Sequence, residues 1–294
     1  MIGEVAALSA ALAFGFSIIL ARRFMREVPP EAGVLVSIVT NVVTFAAISA
    51  ILGLAGRLPQ LTPLAVILFA LGGLAGTLLG RNLSYQAINR IGASLSVTVR
   101  LTNSIFSLAI GFVVLRELPR AVQIAGITAV TIGLWLSLQP SHHEAGTSRS
   151  RRDLGGVVFA LASAAAFALG DTLRRAGLQL APAPVLGAAI GASTALALHL
   201  VWSVFNSDAR WPSRATLRRF DVLGSAALNT VALLLLYTGL RHAPVAIVSV
   251  LYNLQVLVVL LAGPLILPDQ ERVTAWVAAG ALVALVGTTL ILTG

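Results

Sequence analysis

Polar side chains recur at helical spacing inside an otherwise apolar stretch of the chain. Four of them, spaced by four, three and four residues, are Ser96, Arg100, Asn103 and Ser107. At about 100° per residue, these side chains fall on one face of a helix. Arg100 lies eight residues beyond Gly92, which is about 12 Å along a helix axis. Because a polar group that faces hydrocarbon is costly, this face predicts a buried binding site.

The preceding apolar stretch carries a second polar face. It consists of Asn82, Tyr85, Gln86 and Asn89, with Arg81 just before it. Arg81 lies eleven residues before Gly92, so Arg81 and Arg100 are expected at comparable depth on neighbouring antiparallel helices. Neither stretch contains an Asp or Glu. Two guanidinium groups without a counter-charge predict a bound carboxylate or phosphate. For both arginines, and more for Arg81 than for the deeper Arg100, the alternative is that the long stem extends to the membrane interface.

Two apolar stretches in the second half of the chain carry aromatic and amide side chains. These are Asn229 and Tyr237 in the first stretch, and Tyr252 and Gln255 in the second. We expect them to complete the binding site from the opposite side. Hydrogen bonding between helices is the alternative role for these groups.

Asp171 is the only acidic residue well inside an apolar stretch. Arg174 and Arg175 follow it by three and four residues, so an ion pair within one helix at the membrane interface is predicted. A carboxylate that couples transport to protons is the alternative.

The elements that position these residues follow from the composition. Of 294 residues, 57% are hydrophobic and 11% charged, with a mean hydropathy of +0.93, whereas a soluble domain has about 25% charged residues. The apolar runs are about 20 residues long and show no period-2 alternation, which predicts transmembrane helices. We predict an all-α integral membrane protein with ten spans, at residues 3–21, 32–52, 63–85, 92–115, 119–138, 154–174, 184–205, 220–240, 244–267 and 273–293.

The two halves of the chain repeat. A polar linker, 139–153, separates a first five-helix repeat, 1–138, from a second, 154–294. Shifts of 152 to 154 residues superpose landmarks in one order: Phe14 on Phe167, Tyr85 on Tyr237, Glu117 on Glu271, Gly126 on Gly280 and Gly133 on Gly287. Arg81 and Arg100 then correspond to Leu233 and Tyr252. Because five is odd, the second repeat must enter the membrane from the other side, which is an inverted repeat.

Several classes of function are disfavoured by the sequence. The basic residues, all Arg, are spread over short connections, so no nucleic-acid partner is expected. The chain has no Cys, and we find no nucleophile elbow, HExxH motif or paired carboxylates. We therefore predict no catalytic residues, no metal and no cofactor. The first apolar segment has no basic residues before it, which favours a retained helix over a cleaved signal peptide.

Ten helices as five plus five, with LRELPR and PDQERV ending the fourth helix of each half, resemble the EamA family of the drug/metabolite transporter superfamily. The resemblance implies that 63–85, 92–115, 220–240 and 244–267 line a central cavity. It also implies a multi-pass carrier in the cell (inner) membrane. The proline usual in the fourth helix is absent here. We predict alternating-access transport of a small metabolite bearing an anionic group, such as an amino acid. A membrane-embedded lipid-modifying enzyme and a passive channel are the alternatives.

The orientation in the membrane has two conflicting predictors. Apart from Arg81 and Arg100, twelve arginines lie on the side of the linker and six on the side of the termini. The positive-inside rule therefore places the linker in the cytoplasm. The family resemblance implies the opposite, with both termini inside. We favour the charge count slightly.

Overall fold

The computed structural model describes residues 2–56, 59–115, 120–137, 153–205, 211–243, 248, 251–269 and 273–293. Within these ranges the regular structure is helical, with no strand. The helices of the first half are α1 Ile2–Phe24, α2 Pro30–Leu54, α3 Pro63–Ile91, α4 Ala93–Arg100, α5 Asn103–Leu115 and α6 Ala121–Ser137. Those of the second half are α7 Leu154–Leu180, α8 Pro184–Phe205, α9 Phe220–His242, α10 Gln255–Ile266 and α11 Ala275–Thr293. Residues 116–119 of the motif LRELPR, residues 270–272 of PDQERV and most of the linker lie outside the described residues.

Six helices of the described chain are long and apolar enough to cross a membrane: α1, α2, α3, α7, α8 and α9. Three shorter apolar helices fall within predicted spans, at Ala121–Ser137, Leu251–Ile266 and Ala275–Leu290. The protein is thus an all-helical membrane protein, and the count of ten spans stays a prediction.

Local signals in the sequence set several helix ends. Thr62 caps α3 by accepting a hydrogen bond from the Ala65 amide at 3.3 Å, and Pro63 follows it as the first helical residue. Asp153 caps α7 in the same way through the Gly156 amide. Gly92, at φ 82°, separates α3 from α4 in a backbone conformation that favours glycine. The turn at Gly92 makes α3 and α4 neighbours.

The predicted span 92–115 is wrong as a single helix. Helix α4 ends at Arg100, residues 101–102 form a turn, and α5 begins at Asn103. The predicted span 244–267 is interrupted at the corresponding place, because Leu254 is a turn between helical residues 251–253 and α10. The two breaks lie in corresponding helices of the two halves.

Helix α3 contains a π-helical segment, Gly73–Gly80, where it packs against α7. The backbones meet closely there, since a Cβ added at Gly170 would lie 2.7 Å from the Gly76 nitrogen. The glycines predicted as a packing face therefore allow close contact between these helices.

The largest helix contacts pair α1 with α9, α3 with α7, and α6 with α11. In the α6–α11 contact, a Cβ at Gly133 would lie 2.5 Å from the Gly280 oxygen, and one at Gly287 would lie 2.6 Å from the Gly126 oxygen. The four glycines are the ones that a shift of 154 residues superposes. The contact runs antiparallel, because the residue numbers in each pair rise on one helix and fall on the other.

Candidate substrate cavity

A partly open pocket lies between α1, α3, α4, α7, α9 and Tyr252, and the space not filled by protein atoms there, open solvent included, is about 520 Å³. Five of the ten predicted site residues line it: Arg81, Tyr85, Arg100, Asn229 and Tyr252. Its walls come from both halves of the chain. The polar faces predicted from the sequence therefore meet, in part, around one space.

Arg100 is the last residue of α4 and is buried. Its Nη2 donates a hydrogen bond to Gln255 Oε1 at 2.7 Å, and its Nη1 lies 3.4 Å from Ser84 Oγ. Its guanidinium carbon stands 5.3 Å from the centre of the Phe167 ring. All three partners are neutral, so none of these contacts neutralises the positive charge.

Arg81 begins the last part of α3, after the π-helical segment, and is also buried. Its Nη1 donates to the hydroxyl of Ser37 on α2. The side chain therefore points into the protein, whereas the alternative prediction placed its end at the membrane interface. The partner is again neutral.

The sequence reading missed a third arginine at the cavity. Arg174 donates to Asp171 Oδ1 at 2.6 Å and to Thr77 Oγ1 at 3.0 Å, and its guanidinium lies 5.6 Å from the Tyr237 ring centre. The predicted ion pair of Asp171 exists, but both residues line the cavity and the arginine side chain is only 2% exposed. The pair is therefore buried inside the protein, and its predicted location at the membrane interface stays a prediction. The local sequence carries no signal for it, because the space that Arg174 fills is left by Gly72 and Gly76 on another helix.

The described lining has a positive formal charge. Three arginines and one aspartate give +3 − 1 = +2. Arg174 and Asp171 compensate each other, which leaves the charges of Arg81 and Arg100. A buried charge is expensive unless it is paired, so such a site favours an anionic ligand.

Residues from α1 and α9, together with Tyr252, complete the other side. The Tyr252 ring meets Phe14 edge to face at 5.2 Å between ring centres. Asn229 Nδ2 lies 3.4 Å from Asn41 Oδ1 on α2. Gln255 reaches the site through Arg100, whereas Tyr237 lies behind Arg174 and directs its hydroxyl to Gly187.

Five predicted site residues are not among those that line the cavity: Gln255 and Tyr237, which contact lining residues, and Asn82, Ser96 and Asn103. Ser96 is buried one turn before Arg100. Asn103 accepts a hydrogen bond from Ser107 at 3.0 Å. The break at residues 101–102 changes the helical register, so the predicted polar face does not continue from α4 into α5. Within the described residues, no group of three His, Asp or Glu side chains could hold a metal ion.

The described helices and the pocket that they enclose are those of a polytopic α-helical membrane protein. The EamA-like transporter family matches the chain twice, over residues 1–139 and 154–293. The chain therefore belongs to this family of membrane transporters, which confirms the resemblance found in the sequence.

Comparison with solved structures supports the same fold. Twenty-six chains match. One of them, titled "Crystal structure of protein", has a TM-score of 0.65 at 17% identity and covers 98% of this chain and 94% of its own. No curated protein sequence matches this chain.

Proposed function

We propose that this protein is an alternating-access carrier for a small organic metabolite with an anionic group, such as an amino acid. The observation that carries the proposal is the pair of buried arginines, Arg81 and Arg100, which face one cavity with neutral partners only. A carboxylate bound there would supply the counter-charge. The multi-pass location would be the cell (inner) membrane.

We further propose two five-helix repeats of opposite topology, residues 1–138 and 154–294, with ten spans in total. The glycine contact between α6 and α11 supports this arrangement. Gly133 meets Gly280 while its counterpart Gly287 meets Gly126, so the contact is reciprocal. Equivalent helices that meet reciprocally and antiparallel are related by a two-fold axis perpendicular to them, which lies in the membrane plane.

The interrupted helices support alternating access. The break after Arg100 and the break before Gln255 occupy corresponding positions, and the hydrogen bond between these two residues joins them. Interrupted helices at a binding site between two repeats are a recurring feature of secondary transporters. Rocking of one repeat against the other would open and close the cavity around this junction.

The test is uptake of labelled metabolites into proteoliposomes that contain the purified protein. The panel holds amino acids, other carboxylates, a phosphate ester and organic cations. We expect saturable, counterflow-competent flux of at least one anion-bearing compound and none of the cations. Flux that does not saturate and shows no counterflow would indicate a channel instead. Chemical conversion of a lipid without flux would indicate an enzyme.

A further inference from the structure

The two halves contribute unequally to the cavity. Five pairs of lining residues occupy corresponding positions, with shifts of 152 or 153 residues: Phe14 and Phe167, Ile18 and Asp171, Arg81 and Leu233, Ser84 and Leu236, Arg100 and Tyr252. In four pairs, a charged or hydroxyl side chain on one side stands where the other side has an aliphatic or aromatic one.

The polar members come from α3, α4 and α7, and we call this the polar wall: Arg81, Ser84, Arg100 and Asp171. The opposite members come from α1, α9 and the helical residues 251–253 before α10, and we call this the apolar wall: Phe14, Ile18, Leu233, Leu236 and Tyr252. One wall therefore favours charge and the other favours hydrocarbon.

The aromatic contacts follow the same pseudo-symmetry. Arg100 stands over the Phe167 ring at 5.3 Å, and at the corresponding place Tyr252 meets the Phe14 ring at 5.2 Å. At corresponding positions in the two halves, a phenylalanine ring thus contacts the Arg100 cation in one case and the Tyr252 phenol ring in the other. A ligand that touches both walls must present different chemistry to each.

Ser17 and Asn229 also line the cavity beside the apolar wall, and both form hydrogen bonds inside the protein. Ser17 and Ser225 exchange hydrogen bonds with each other's backbone oxygens at 2.8 and 2.9 Å. The Asn229 amide faces Asn41. These groups join α1 and α2 to α9.

The cavity offers little to a ligand cation. Asp171 is the one carboxylate among the described lining residues, and Arg174 holds it at 2.6 Å. An ammonium group placed there would compete with that buried arginine. It would also lie in the field of two uncompensated guanidinium groups.

We infer that the substrate is an amphipathic organic anion: a carboxylate with an apolar, aromatic or branched body and no free ammonium group. Its carboxylate binds Arg81 and Arg100 on the polar wall, and its body lies against Leu233, Leu236 and Tyr252. This inference rests on the proposed function for its site and narrows the ligand class to organic anions that are not amino acids.

The test is equilibrium binding to the purified full chain in detergent, measured by calorimetric titration. The probes share one skeleton: 3-phenylpropanoate is the anion, L-phenylalanine the zwitterion and 3-phenylpropylammonium the cation. Propanoate lacks the ring, and succinate replaces it with a second carboxylate. We expect 3-phenylpropanoate to bind at least about tenfold more tightly than each other probe, with no saturable binding of the cation.

A variant tests the apolar wall separately. Leu233→Asn should reduce the preference for 3-phenylpropanoate over propanoate about tenfold while leaving propanoate binding nearly unchanged. Leu233→Ala is the milder substitute if that variant does not fold, and it should reduce the same ratio severalfold. An unchanged ratio in a folded variant would overturn the assignment of this wall.

The outcomes separate the inference from the proposed function. Equal or tighter binding of L-phenylalanine would show that Asp171 accepts an ammonium group and would overturn the inference, as would failure of 3-phenylpropanoate to bind. Tight binding of 3-phenylpropanoate without flux in proteoliposomes would contradict the carrier and leave the ligand class standing. Flux of amino acids or succinate without binding of 3-phenylpropanoate would overturn the ligand class and leave the carrier standing.

Discussion

Gln255→Glu should weaken anion binding strongly while leaving the fold intact. In the structure, Gln255 Oε1 accepts a hydrogen bond from Arg100 Nη2 at 2.7 Å. The change keeps the size and shape of the side chain but replaces the neutral acceptor with a carboxylate. Arg100 then has an internal counter-charge, and a substrate carboxylate must compete with it.

The magnitude follows from the distance. Two unit charges about 4 Å apart interact by about 4 kcal/mol at an effective dielectric constant near 20. A substrate carboxylate on the other side of Arg100 would stand farther from the introduced charge, so their repulsion is smaller than this value. We therefore expect a loss of about 3 kcal/mol in anion binding, or about a hundredfold in Kd.

The assay is titration of 3-phenylpropanoate, with thermal unfolding measured on the same sample. The introduced ion pair replaces an existing hydrogen bond, so the melting temperature should stay within a few degrees. Two controls isolate the charge. Gln255→Met removes the acceptor without adding charge and should retain binding, and Gln123→Glu makes the same change at the start of α6, outside the cavity. A Kd within threefold of the unmodified protein would refute the assignment of Arg100 as an anion site.

Three further predictions concern the site, its packing and the orientation. Arg100→Ala should abolish transport in proteoliposomes while the protein stays folded in detergent. Arg81→Ala should reduce transport less, because Arg81 stands farther from the junction of the interrupted helices. A larger loss at Arg81 would reverse this ranking. Gly76→Ala should lower stability by about 2 kcal/mol, since the added Cβ would come within 2.8 Å of the Arg174 guanidinium carbon. Gly224→Ala, whose Cβ would meet only a leucine methyl at 3.1 Å, is the control for thermal unfolding, and equal effects at both glycines would contradict the packing argument. Reporter fusions after the last residue and within the central linker should place the linker in the cytoplasm, as the arginine count favours; a cytoplasmic C-terminus with an external linker would show that the family pattern decides.

The sequence was sufficient to predict the helical membrane class, the family and much of the cavity. Arg81, Tyr85 and Arg100 were found because their apolar surroundings make a polar residue conspicuous, and lipid leaves few structural alternatives. Asn229 and Tyr252 were found on the same grounds. Hydropathy and periodicity therefore carry real information about which polar groups face inward.

Two features of the site could not be predicted because local sequence does not determine them. The break at residues 101–102 has no Pro or Gly to mark it, so the polar face was extended to Asn103 across a change of register. Arg174 was predicted only to form an ion pair with its neighbour Asp171. The space that its side chain fills lies beside Gly76 on another helix, which local sequence does not indicate. Contacts between segments distant in sequence determine both the helix break at residues 101–102 and the position of Arg174.

The reciprocal glycine contact has a consequence for the origin of the chain. Gly126 and Gly133 lie in one repeat, and their counterparts Gly280 and Gly287 supply the complementary surfaces. A single ancestral repeat with both glycines would already contain each side of the contact. Two copies inserted in opposite directions could then associate before any duplication joined them. In the present chain, a substitution at Gly133 would disturb the backbone at Gly280, more than a hundred residues away.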